Sequence, residues 1–307
     1  MRDACCRSPD NEERGATMKF WSLLSQVEDD QLIECAVHCE ELGFDAVGIS
    51  DHALIPERID SHYPASPDGK PFFTIEQKWS FPEPWVALAM IAGATRRINL
   101  MQSIYVLPLR EPIEVAKATG TLAALSGNRL HLCTGVGWMK EEFDVYGVDF
   151  TRRGKRADEM ISVLRKLWTG EIVEHQGDFF NFPRLRILPA PGHVPIIAAG
   201  ASPAAMRRAA TLCDGWMDTG NKVEDMPPLV ARLRQMRREA GREHLPFEIV
   251  MILNDVWDID AFRRAEDHGV TAIQLLSPFH QYQRRSTLEE NKRYLDSFAE
   301  KILRHFL

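Results

Sequence analysis

Short apolar runs of strand length alternate with amphipathic stretches along nearly the whole chain. Met18–Leu24 reads as a strand. Asp29–Leu42 reads as a helix, with Leu32, Ile33, Ala36, Val37 and Leu42 at helical spacing and Gly43 ending it. Phe44–Ser50 follows as a strand, Pro84–Ala94 as a helix and Arg97–Ile104 as the third strand. Pro112–Leu125 is a helix with proline in its first turn, and Arg129–Thr134 is the fourth strand. Arg156–Trp168 is an amphipathic helix with Met160, Ile161, Leu164, Leu167 and Trp168 on one face. Strand Val194–Ala199, helix Pro203–Leu212, strand Gly215–Asp218 and helix Met226–Ala240 come next. Strand Phe247–Leu253, helix Ile259–His268, strand Val270–Leu276 and the closing helix Leu288–Phe306 complete the pattern.

Eight strands, each followed by a helix or a long loop, predict an α/β fold with a parallel sheet. A single (β/α)8 TIM-type barrel with insertion loops over residues 18–307 fits better than an open sheet. The stretch Met1–Thr17 is polar and has no apolar signal-peptide core, so it is expected to be a disordered tail. The longest apolar run, Val86–Ala94, is far short of the roughly 18 residues that cross a bilayer, so no membrane span is expected. With 37 Lys and Arg against 44 Asp and Glu, the net charge of −7 argues against a nucleic-acid surface. The six cysteines do not form a disulfide framework in a chain of this length. Cys5 and Cys6 fall in the tail, whereas Cys35 and Cys39 share a helix face and read as buried thiols of a cytoplasmic protein.

In such a barrel the chemistry sits just beyond the C-terminal ends of the strands. Beyond strand two lies His52, placed to act as an acid/base or hydrogen-bond donor, or else to be tied structurally to a neighbouring carbonyl. A loop rich in proline runs on to Pro82. Its aromatics Tyr63, Phe72, Phe73, Trp79 and Phe81 suggest a lid over a pocket or a flap on the barrel wall. Beyond strand four, Gly135-Val136-Gly137-Trp138 brings backbone close to a ligand or makes a tight turn. It lacks the third glycine and the strand-one position of a dinucleotide fingerprint, so a Rossmann reading is rejected. In Ala199–Ala205, Ser202 is a good N-cap and Pro203 suits the first helical turn. At this late strand of a barrel, a helix N-terminus favours a phosphate over a plain capped helix. Thr151–Arg156 gathers four cations at a helix start, as a solvated charge run or as contacts to an anion, with Glu141, Glu142 and Asp158 available as partners. The ten histidines show no H-x-H or H-E-x-x-H spacing, so no metal site is expected. There is no G-x-S-x-G, and Cys133 lies on a strand without an evident base.

Several segments, taken in order, resemble the luciferase-like monooxygenase family of flavin and deazaflavin oxidoreductases. They are E-L-G-F-D-A-V-G-I-S-D-H (Glu41–His52), A-T-R-R-I-N-L (Ala94–Leu100), V-L-P-L-R-E-P-I-E-V-A-K (Val106–Lys117) and L-S-G-N-R-L (Leu125–Leu130). G-V-G-W-M-K-E-E-F (Gly135–Phe143), R-R-G-K-R-A-D-E (Arg152–Glu159), A-A-G-A-S-P (Ala198–Pro203) and C-D-G-W (Cys213–Trp216) complete the set. The resemblance implies a barrel with a redox cofactor at its mouth. His52 would be the catalytic group beside the ring. Ser103 and Ile104 would form a bulge, with a non-prolyl cis peptide, behind the ring. Asp51, Thr134, Gly135, Gly137 and Trp138 would line the cofactor, and Ala199, Gly200, Ala201 and Ser202 would hold its phosphate.

The Asp51-His52 pair and the G-V-G-W…F-T-R-R-G-K-R run look most like the subgroup that uses coenzyme F420, whose acidic tail would meet Arg152, Arg153, Arg207 and Arg208. Hydride transfer with a small organic substrate is then implied. The rival is FMN-dependent monooxygenation with O2. A barrel that binds the cofactor without catalysis is a third reading. A separate flavin or F420 reductase or dehydrogenase supplying reduced cofactor, and a homodimer through the early helices, belong to the same picture. The chain departs from the family at three places. The phosphate loop reads Ala-Gly-Ala-Ser where Gly-Gly is commoner, and Cys133-Thr134 replaces a smaller pair. Trp138 stands where some sugar-phosphate dehydrogenases carry a catalytic glutamate, so their substrate does not transfer.

Overall fold

The computed structural model of the protein describes residues 18–64, 66, 68–253 and 257–307. The expected tail, with Cys5 and Cys6, lies outside the described residues. The chain runs β1 (Lys19–Leu23), α1 (Leu32–Leu42), β2 (Ala46–Ile49), α2 (Pro84–Ala94), β3 (Asn99–Gln102), β4 (Tyr105–Val106) and α3 (Pro112–Ser126). It continues through β5 (Leu130–Gly135), α4 (Lys140–Tyr146), α5 (Arg153–Leu167), β6 (Val173–Gln176), β7 (Asn181–Leu185), β8 (Ile196–Ala199) and α6 (Pro203–Leu212). The last part is β9 (Gly215–Met217), α7 (Met226–Glu239), β10 (Glu248–Leu253), α8 (Ile259–Asp267), β11 (Ala272–Leu275), α9 (Pro278–Tyr282) and α10 (Leu288–Lys301).

Parallel pairing passes from β1 through β2, β3, β5, β8, β9, β10 and β11, and β11 pairs back onto β1. The sheet is therefore a closed eight-stranded parallel barrel, as the alternation predicts. Its strands are buried on both faces, which is why they read as nearly continuous apolar runs. Trp21, Ala46, Met101, Cys133, Ile197, Ala199, Met217, Val250 and Ala272 fill the interior. A second, larger cluster lies between the strands and the surrounding helices, and includes Phe20, Leu88, Leu132, Trp168 and Phe298. The barrel is a packed core, so a ligand has room only at its ends.

Several details differ from the sequence expectations. The strand expected over Arg97–Ile104 is shorter, β3 at Asn99–Gln102, and a second short strand, β4, follows the cis Ser103–Ile104 peptide. The helix expected from Arg156 begins at Arg153. The antiparallel β6–β7 hairpin and the short helices α4 and α9 have no counterpart in the predicted pattern. The four described cysteines, Cys35, Cys39, Cys133 and Cys213, are buried free thiols, and burial pushes the Cys35 thiol up to about 12. No helix among the described residues is long and apolar enough to cross a membrane.

Candidate active site

The C-terminal ends of β2, β3, β5 and β8 are consecutive around the barrel, and they carry most of the candidate residues. Just beyond β2, His52 follows Asp51 and turns into a chamber of aromatic rings. Phe73 lies 4.9 Å from its ring, Phe81 5.1 Å and Trp138 6.0 Å. Tyr63 lies tilted against Trp138 at 4.9 Å, while Phe72 packs on Phe73 and on Phe279 of α9. The long loop after β2 thus packs over His52, and its own Phe73 is fully buried. His52 Nδ1 is buried without a hydrogen-bond partner, and it faces Glu142 Oε2 at 3.5 Å.

Asp51 points away from the chamber. Its Oδ2 accepts the Val106 N–H at 2.9 Å and its Oδ1 accepts Arg110 Nη2 at 2.7 Å. Both oxygens are engaged, so Asp51 braces the chain just after the cis peptide. Thr134 likewise turns outward: it is buried and donates to the Tyr105 carbonyl at 3.0 Å, joining β5 to β4. Strand alternation is the reason, since its neighbour Cys133 belongs to the barrel interior. Ser103 and Ile104 do reach the barrel's upper layer. Ser103 Oγ donates to Gln274 Oε1 at 2.9 Å, and Ile104 packs against the interior cluster. A side chain at Gly135 would place its Cβ 2.5 Å from Ile104 Cδ1, so this glycine lets β5 close against the cis ridge.

On β8, Ala199 is part of the barrel interior, whereas Ala201 and Ser202 are exposed at the start of α6. Gly200 adopts φ +130°, a conformation L side chains rarely take, and a Cβ there would meet Ala205 at 2.9 Å. Its carbonyl accepts the Trp216 indole N–H at 2.9 Å. Ser202 caps α6 by accepting the Ala205 N–H at 3.2 Å, as its position in the sequence predicts. The exposed first turn, free of bulky side chains, suits an anion on chemical grounds.

The cationic run does other work. Arg153 donates to the Gly137 carbonyl at 3.1 Å and the Phe150 carbonyl at 2.8 Å. Arg156 holds the Pro108 carbonyl at 2.9 Å, and Arg152 lies over the Phe179 ring at 4.4 Å. Arg208 is buried in an ion pair with Asp158. Of the four arginines matched to an acidic tail, Arg153 and Arg208 are therefore spoken for inside the protein, and Arg207 is exposed. Glu142 is the site residue that the sequence reading undervalued. It stands in the first turn of α4, where the sequence offered it as a partner for the cationic run and not for His52.

Residues 19–302 match the luciferase-like monooxygenase family. The chain belongs to that family. Among its relatives is an uncharacterized protein of Mycobacterium tuberculosis, 37% identical over 88% of this chain and 94% of that one. An F420-dependent glucose-6-phosphate dehydrogenase of Nakamurella multipartita is 30% identical over 81% of this chain and 70% of its own length. Among solved structures, the monooxygenase RslO1 from Streptomyces bottropensis superposes with a TM-score of 0.74 at 22% identity, covering 94% of this chain and 100% of that one. That likeness places the luciferase-like barrel. The chemistry of this member has to be argued from its own mouth.

Proposed function

We propose that this protein is a coenzyme F420-dependent oxidoreductase that exchanges a hydride with a neutral, partly apolar organic substrate. The observation that carries the reading is the aromatic chamber around His52, which stands two strands along the barrel from β5 and three from the open N-terminus of α6. The 30% identity to an F420-dependent dehydrogenase supports the choice of cofactor. Ala201 and Ser202 at the start of α6 would hold a phosphate, and the Ser103–Ile104 ridge would lie against the ring. A deazaflavin bound there supplies a two-electron hydride donor or acceptor. This chain's own residues do the rest. His52 takes or returns the proton of the substrate oxygen, Trp138 and the lid aromatics exclude water, and Asp51 with Arg110 keeps the ridge in place.

The family's monooxygenase members support a second reading, in which FMN is the cofactor and O2 the co-substrate. Binding without turnover is the third. In the preferred reading the protein works in the cytoplasm beside a separate enzyme that reduces its cofactor. A homodimer is part of the same reading: Val86 and Met90, one turn apart on α2, are large apolar side chains left exposed, and sedimentation velocity tests it.

Titrating the purified protein with F420 and with FMN, followed by cofactor fluorescence, tests the proposal. Preferential F420 binding is the expected result. Preferential FMN binding with substrate-dependent oxygen uptake would replace the proposal with the monooxygenase. With a substrate in hand, His52→Ala is expected to leave F420 affinity unchanged and to lower turnover by about 10²–10⁴-fold.

A further inference from the structure

We propose that Glu142 is a positioning residue. Its carboxylate fixes His52 in the tautomer that carries the ring proton on Nδ1, so that Nε2 is the nitrogen presented to the chamber. The functional weight of this rests on the reading of His52 given above, whereas the tautomer itself does not.

Glu142 is buried, with its side chain 1% exposed. Its Oε1 accepts the Ala53 N–H at 2.8 Å, and its Oε2 faces His52 Nδ1 at 3.5 Å. That nitrogen is buried and has no hydrogen-bond partner, while Nε2 takes no hydrogen bond from the described residues. A buried nitrogen left unsatisfied costs about 1–3 kcal/mol, and a buried carboxylate oxygen equally needs a donor. Each group supplies what the other lacks, and a few tenths of an ångström close the gap to a normal hydrogen bond.

The proton cannot sit equally well on either nitrogen. With Nδ1 bare, a ring lone pair would face a carboxylate in a site shielded from water. With Nδ1 protonated, the contact is attractive and Nε2 remains the acceptor. Among the described residues no other side chain hydrogen-bonds to Nδ1: the aromatic neighbours of the ring are Phe73, Phe81 and Trp138, and both oxygens of Asp51 are engaged by Val106 and Arg110. Glu142 is the one carboxylate within 4.0 Å of His52 among the described residues.

A carboxylate that merely tied the loop to α4 would also hold Ala53, so the decisive test reads the ring itself. Long-range ¹H–¹⁵N correlation spectra of cofactor-free protein labelled with ¹⁵N-histidine, recorded at alkaline pH, report the tautomer. The signal of His52 is assigned by its loss in His52→Gln. The wild type is expected to show the Nδ1–H form. In Glu142→Gln the Ala53 N–H claims the only amide oxygen, the NH2 group turns to His52, and the tautomer is expected to invert to Nε2–H. Glu142→Asp keeps a carboxylate and is expected to keep the wild-type form. An Nε2–H ring in the wild type, or a tautomer that Glu142→Gln leaves unchanged, would overturn the proposal. If Glu142→Gln does not fold, the wild-type tautomer and Glu142→Asp decide it. Should the tautomer invert as expected while His52→Ala retains full turnover, Glu142 keeps its positioning role and the catalytic reading of His52 fails instead.

Discussion

At the lower end of the barrel, opposite the mouth, His131 supplies a sharp test of the interior. It enters on β5 two residues before Cys133, which faces the interior, and its ring meets Trp21 edge-on at 6.1 Å. Nδ1 is buried without a partner. Burial, more than any neighbour, lowers its pKa from the ordinary 6.5 to about 4, with Glu248 opposing that fall and Lys19 adding to it. The imidazole is therefore neutral in the folded protein at pH values where the unfolded chain already binds a proton. From pH 6.5 down to about 4 the unfolded state holds more protons, so stability falls as pH falls, and above pH 6.5 the group contributes nothing.

A gap of about 2.5 pH units at about 1.4 kcal/mol per unit sets an upper limit of about 3.5 kcal/mol. The residue keeps some solvent contact at the barrel rim, so the realised loss is somewhat smaller. Carboxylates titrate over the same range, so the comparison has to be differential. Urea unfolding of wild type and His131→Gln at pH 7.5 and pH 4.5 isolates the histidine. The wild type is expected to lose about 2–3 kcal/mol more than the variant between those two pH values. Parallel losses in the two proteins would show that the ring can take up its proton in place, and would refute the argument from burial.

Two further perturbations probe the mouth. Asp51→Ala strands Arg110 beside Val106 and is expected to cost about 3 kcal/mol in chemical denaturation. A loss of cofactor affinity at unchanged stability would instead return Asp51 to the role of a ligand. Glu141 accepts the Asp60 N–H at 2.7 Å, the Ser61 N–H at 3.0 Å and the Ser61 hydroxyl at 2.7 Å. Burial works against its charge, but those hydrogen bonds hold its carboxyl below the usual range. Glu141→Ala is expected to speed amide hydrogen exchange at Asp60 and Ser61 by at least about tenfold with the barrel strands unaffected, as a latch on the lid alone requires.

The barrel was legible in the sequence because burial on both faces leaves long apolar runs that only helices and turns interrupt. The same burial hides which way a strand residue points. Cys133 and Thr134 are equally at home in such a run, yet one fills the interior and the other bonds to Tyr105. The cis break at Ser103–Ile104 is invisible to hydrophobic spacing and came only from the family likeness. The β6–β7 hairpin escaped because β6 is short and mostly polar, its residues alternating between half-buried and exposed. His52 could be located from its place after β2. Its partner could not, because the pairing of Glu142 with His52 joins helix α4 to the segment after β2, which only the closed barrel brings together.

The charged residues around the mouth follow one logic that no single motif displays. Arg153 grips the Gly137 carbonyl, Arg156 the Pro108 carbonyl, Glu142 the Ala53 amide and Glu141 the amides of Asp60 and Ser61. In each case a side chain from α4 or α5 satisfies backbone of a mouth loop, and in all but the Arg153–Gly137 contact that loop follows a different strand. Loops at a barrel mouth have no ladder to satisfy their own polar groups, so rigidity has to be supplied from outside. Two of the four cations in the Thr151–Arg156 run, Arg153 and Arg156, are spent on that task. Because Glu141 and Glu142 are adjacent in one helical turn, the position of the lid and the orientation of His52 are set by the same short element. Displacing α4 would loosen both together.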